Sequence, residues 1–229
     1  MTMMIKRIII IFLFSSCAFI SKAQNEDAGF WLSFNGEKKI NDKIMFGTEL
    51  SARFENYGHD ISKLLIEPSL EYRFTKDFKA LGSYRYSQVA DHEDNFWYSN
   101  HRFSFGFRYN FKWKRFDFRW QGKYQNSFNK DFSRYDAIES KNHIRDKFQV
   151  QYDIKGSKLT PYFFVELYTV LDAGHVLQYE FDTYRYQLGT RFKLNKDLSM
   201  KAFLMYEKEY KNSGWWNNYI GGIDLSFDF

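Results

Sequence analysis

One cysteine and two prolines are all that 229 residues contain of either type. A single thiol excludes a disulfide-stapled scaffold. Beyond the first 23 residues there is no apolar run long enough for a membrane-spanning helix, which excludes a helical membrane protein. Disorder is excluded from the other side: aromatics make up 21% of the chain, far above what unfolded segments carry. Glycine-rich phosphate loops are absent, and no twelve-residue calcium loop occurs.

What is present begins with an address. Lys6 and Arg7 precede an apolar run from Ile8 to Ile20, and Ser21-Lys22-Ala23 follows. A basic start, a short apolar stretch and a small residue before Gln24 make a cleavable export signal, residues 1–23, ahead of a single domain, residues 24–229. Cys17 offers a rival reading as an acylated first residue, but Phe14 fits poorly in the required tetrad. Removing the signal takes away three basic and no acidic side chains, so the net charge falls from +5 to +2. No basic cluster survives that would imply nucleic acid.

From residue 28 onward the period is two. Phe103, Phe105, Phe107, Tyr109 and Phe111 alternate with Arg102, Ser104, Gly106, Arg108 and Asn110. A helix would scatter those rings around its whole circumference, whereas a strand puts them on one face. Eleven such segments follow one another: 28–40, 44–55, 63–74, 78–88, 98–111, 115–127, 143–154, 159–170, 183–194, 198–209 and 217–229. All exceed the ordinary soluble strand of about 5–6 residues and match the about 9–11 needed to cross a bilayer. Short polar turns alternate with longer connections, the layout of an outer-membrane barrel with its short turns in the periplasm. A soluble barrel would alternate equally well. The export signal, the aromatic last residue Phe229 and interface-type aromatics such as Trp31, Trp97, Trp113 and Trp120 favour the membrane.

The expected fold is therefore a single transmembrane antiparallel β-barrel of 10–12 strands. Eleven is an awkward number. If the short turns are periplasmic, the first and last segments both descend, so the first must start on the outer face.

The strings Trp31-Leu32-Ser33-Phe34-Asn35-Gly36-Glu37, Thr48-Glu49-Leu50-Ser51-Ala52-Arg53-Phe54, Gly82-Ser83-Tyr84-Arg85-Tyr86 and Ser157-Lys158-Leu159-Thr160-Pro161-Tyr162 resemble a family of uncharacterised outer-membrane β-barrels of Bacteroidetes-type bacteria, a domain of unknown function. The resemblance spans the mature chain. It implies a membrane barrel and carries no catalytic residues.

With aromatics toward lipid, the other face is lumenal. Its expected charge network or pore lining is Glu49, Arg53, Glu67, Glu71, Arg73, Arg85, Arg102, Arg108, Arg119, Lys123, Arg185 and Arg191. Glu67 and Glu71 neighbour the segment carrying Lys79 and Arg85, so cross-strand pairs are expected. Two functions stay open, with an outer-membrane hydrolase as a less favoured third. One is a non-enzymatic barrel with a charge-filled lumen and a structural or partner-binding role. The other is a narrow channel whose arginines select small anions.

A hydrolase on the outer wall would need serine and histidine on one face. No His-x-Ser occurs, and His101 and Ser104 point apart. No cofactor or metal is expected, and clustered acids such as Asp91-His92-Glu93-Asp94 read as solvated loop. The expected surroundings are outer-membrane lipid, the barrel-assembly machinery during biogenesis, and an unidentified solute or protein.

Overall fold

The computed structural model describes residues 26–92, 95–130, 140–171, 181–211 and 214–229. The expected export signal, with Cys17, the loop residues Phe132 and Tyr135, and the acids Glu93 and Asp94 lie outside the described residues. Eleven strands follow in order: β1 (Glu26–Lys39), β2 (Ile44–Glu55), β3 (Asp60–Arg73), β4 (Phe78–Asp91), β5 (Phe96–Trp113), β6 (Phe116–Lys130), β7 (Ser140–Tyr152), β8 (Leu159–Val170), β9 (Phe181–Lys193), β10 (Leu198–Lys211) and β11 (Gly214–Asp228). Each pairs with its sequence neighbour, and β1 closes on β11. The chain is an all-β closed barrel.

Closure resolves the odd number. Ten of the eleven pairs are antiparallel, but β1 and β11 run parallel, from Glu26 opposite Asn217 to Glu37 opposite Asp228. With an odd number of up-and-down strands, the first and last must point the same way. The parallel ladder leaves no open edge, which a bilayer would not tolerate. Both strands begin at the end of the barrel that carries the connections 56–59, 92–95, 131–139, 171–180 and 212–213, called here the loop end. The other is the turn end.

At the turn end, side chains cap the chain reversals. Asn41 Oδ1 accepts from the backbone N–H of Lys43 and Ile44, each at 2.9 Å. Asn195 Oδ1 does the same for Asp197 and Leu198, and Thr75 Oγ1 for Asp77 and Phe78. Short polar side chains that mimic a backbone turn explain why these tripeptides interrupt the alternation. At the loop end several strands run past their expected limits. β5 is 18 residues long, and β10 and β11 are separated only by residues 212–213. Backbone pairing continues there after the apolar alternation has stopped, because a ladder needs no apolar side chains where water covers it.

The alternation sorts side chains to opposite faces. Phe105 is 56% exposed and Leu204 72%, whereas Glu166 is 1% exposed and Ser87 2%. Most apolar groups face out and most charged groups face in. That polarity is inverted relative to a soluble barrel. Trp31 departs from its expected place at the membrane interface. It points into the lumen, where the Arg53 guanidinium stands 3.8 Å from its ring centroid.

Candidate functional site in the barrel lumen

Two cavities lie in the interior among the described residues. The lower one, nearer the turn end, has a volume of about 330 Å³ and the upper one, nearer the loop end, about 440 Å³. Arg53, Arg85 and Arg185 line both, so these three arginines form the girdle between them. They come from β2, β4 and β9, each at a position whose strand neighbours face lipid.

Two ion-pair systems brace the wall around the girdle. Glu166, on β8, accepts from Arg145 Nη2 at 2.6 Å, from Arg185 Nη1 at 3.3 Å and from Tyr168 Oη at 3.2 Å. Arg185 also donates through Nε to Glu207, whose other oxygen accepts from Asn218 Nδ2 at 3.1 Å. The chain Arg145–Glu166–Arg185–Glu207–Asn218 thus ties β7 to β11. On the opposite side Glu71 accepts from Lys79 Nζ and, at 2.7 Å, from Arg108 Nη1, while Glu67 accepts from Arg85.

Among the described residues, Arg102, Arg119 and Arg53 have no carboxylate within ion-pair distance. Arg102 Nε donates to Ser127 Oγ at 2.8 Å, and Arg119 Nε to Asn110 Oδ1 at 3.0 Å, both neutral acceptors. Arg53 is held by the ring of Trp31, and its buried Nε has no hydrogen-bond partner among the described residues. Glu49 and Arg191 line the lower cavity. Among the described residues lining that cavity, ten are Arg or Lys and four are Glu or Asp; for the upper cavity the figures are six and two. The enclosed space is therefore far more basic in proportion than the whole chain, in which 33 Lys and Arg stand against 28 Asp and Glu.

Arg73 is the residue from the sequence reading that the barrel does not bring into this network. It is exposed at the turn end, where its backbone N–H donates to Lys43 O at 2.7 Å. The last residue of a strand lies beyond the enclosed part of the barrel even when its parity points inward. Asp153 and Asp228 are exposed at the same end for the same reason.

The sequence reading missed a second lining. Tyr162, Phe164, Phe203, Met205 and Ile220 form a buried cluster, with Trp31 packed against it, and all face inward. The signal was available: Phe164 shares its strand face with Glu166, Met205 with Glu207, and Ile220 with Asp224. A buried carboxylate fixes which face is lumenal, and its aromatic neighbours two residues away go with it. Two glycines make room for the cluster. A Cβ on Gly222 would come 2.2 Å from Phe203 Cζ, and one on Gly189 2.6 Å from Tyr162 Oη.

On the outer wall, Ser99 and His101 share the lipid-side face of β5, a Ser-x-His spacing that a search for His-x-Ser passes over. They do not form a nucleophile–base pair. His101 Nδ1 bonds Tyr84 Oη at 2.7 Å and its ring stacks on Phe128, while Ser99 Oγ accepts from Gln88 Nε2 at 2.9 Å. Among the described residues, no three His, Cys, Asp or Glu side chains come together as a metal site.

Solved structures share this architecture. The β-domain of the Bordetella autotransporter BrkA superposes with a TM-score of 0.51 at 10% identity, covering 79% of this chain and 82% of that one. A bacterial polysaccharide outer-membrane secretin gives 0.54 at 15%, covering 83% and 67%. LpxR from Salmonella typhimurium gives 0.52 at 8%, covering 85% and 87%. At these identities the likeness is one of fold, and the fold is that of outer-membrane barrels. No curated protein matches the sequence. The model of the family described as "Protein of unknown function (DUF2490)" matches residues 28–218. The chain belongs to this family. The match runs from β1 to the first part of β11, so it takes in the girdle and every residue lining the two cavities except Asp224.

Proposed function

We propose that this DUF2490 member is a non-enzymatic barrel, exported by its N-terminal signal to the outer membrane, whose lumen draws small anions toward the Arg53–Arg85–Arg185 girdle. The observation that carries this reading is the charge excess lining both cavities, with Arg53 held between them by a ring rather than by a carboxylate. A ring of one sign at a constriction selects the opposite ion. Such a charge acts more strongly in a low-dielectric interior than in bulk water. Arg85 and Arg185 keep their acids and are fixed in place; Arg53 makes no ion pair within 4 Å among the described residues.

Planar-bilayer recording across a potassium chloride gradient tests this. The reversal potential is expected on the anion-selective side, and Arg53→Gln is expected to lower the chloride-to-potassium permeability ratio severalfold without unfolding the barrel. That substitution strands no carboxylate. Cation selectivity would overturn the proposal. So would the absence of current from protein that shows heat-modifiable migration, which would leave the ion pairs as internal bracing and the loops as the functional surface.

A further inference from the structure

The lower cavity has two unlike walls. On the β5–β7 side stand Arg108, Arg119, Lys123 and Lys147. On the β8, β10 and β1 side stand Phe164, Phe203, Met205 and Trp31, with Glu166 and Lys201 as the charged groups among them. Water and inorganic ions give no reason to place apolar side chains in a polar lumen, and the barrel makes room for Phe203 at Gly222. Arg119, Lys123 and Lys147 make no ion pair within 4 Å among the described residues, so the basic wall retains charge for a guest. Lys147 Nζ stands 3.5 Å from the centroid of Phe164, which brings the two walls into contact at one edge of the cavity. A space of about 330 Å³ is at the lower end of small-molecule pockets.

We infer that the lower cavity binds amphipathic anions, namely carboxylates or phosphates attached to a compact apolar or aromatic body, in preference to inorganic ions. The anionic group meets Arg119 and Lys123, and the apolar body lies against Phe164, Phe203 and Met205. This rests on the anion reading above and narrows it: the girdle attracts negative charge in general, and the two-walled cavity chooses among anions. Gln187, on β9 between β8 and β10, donates through Nε2 to Tyr162 Oη at 2.7 Å and holds the phenol in place on the apolar side.

The test is calorimetry on the full chain produced in outer membranes and extracted in detergent, with phenyl phosphate, inorganic phosphate and phenol compared at constant ionic strength. Phenyl phosphate is expected to bind at least tenfold more tightly than either of the others. Phe164→Leu should cut its advantage over inorganic phosphate severalfold, and Arg119→Gln should weaken both phosphates alike. Heat-modifiable migration of each variant shows that it is folded. Equal affinity for the two phosphates overturns this inference and leaves the anion reading standing. Phenol binding as tightly as phenyl phosphate overturns it too, since charge would then play no part. Failure of all three to bind, together with loss of anion selectivity in the bilayer, overturns both.

Discussion

Strands β5 and β8 obey the same period of two and divide their side chains differently. On β5 every ring from Phe103 to Phe111 faces lipid, and Arg102, Ser104 and Arg108 face the lumen. On β8, Phe163 is 39% exposed on the outside, while Tyr162, Phe164 and Tyr168 are buried inside beside Glu166. β5 is a plain membrane strand with water-loving groups on one side. β8 is apolar on both faces and also carries the most deeply buried carboxylate of the barrel. The difference separates two tasks, since lipid contact requires only an apolar outer face, whereas enclosing a shaped site requires an inner face that is part apolar and part charged.

Substitutions that exploit this contrast run from large to small effects. Glu166→Ala removes the acceptor shared by Arg145 and Arg185 and leaves two buried guanidiniums facing each other. Breaking a buried pair in this way costs about 3–5 kcal/mol, expected as a large loss of urea resistance in detergent-folded protein. Phe105→Arg puts a charge on the lipid face at the middle of β5, at a cost of about 2–4 kcal/mol, and impaired assembly with loss of heat-modifiable migration should report it. Normal folding of that variant would contradict the face assignment. Gly222→Val on the inner face of β11 forces Phe203 to move and is expected to destabilise by about 1–3 kcal/mol, through overpacking, with little effect on selectivity. Arg73→Gln should change stability by no more than about 0.5 kcal/mol in the same unfolding assay, because the side chain is exposed at the turn end.

The contrast also explains how far the sequence could be read. On β5 or β2, one face is uniformly apolar and the other polar, so strand, face and lumenal charge are all legible from alternation. The odd strand count could be read as well, but the parallel seam of β1 and β11 becomes evident only when the barrel is closed, because no local residue pattern announces which distant strand a terminus will meet. Trp31 misled because tryptophan suits the interface chemically; the deciding fact is Arg53 on the adjacent strand, whose guanidinium lies across its ring. The inner apolar cluster was legible in principle from Glu166, Glu207 and Asp224. The two cavities were not, since their volumes depend on how long side chains from many strands share one interior. Pairing had the same limit: parity places Arg119 and Arg108 inside, yet only the register reveals that Arg108 reaches Glu71 while Arg119 finds an asparagine.

The account stands or falls on whether the girdle attracts negative charge. The direct measurement replaces Cys17 by Ser, introduces Arg53→Cys, and times its modification in the folded barrel by methanethiosulfonate reagents carrying either a sulfonate or a trimethylammonium group, each rate normalised to that of a free thiol. Arg85 and Arg185 remain beside the new thiol, so the normalised rate should be several times higher for the sulfonate and should converge with the other as salt is raised. A faster normalised reaction with the ammonium reagent, or none with either, would contradict it.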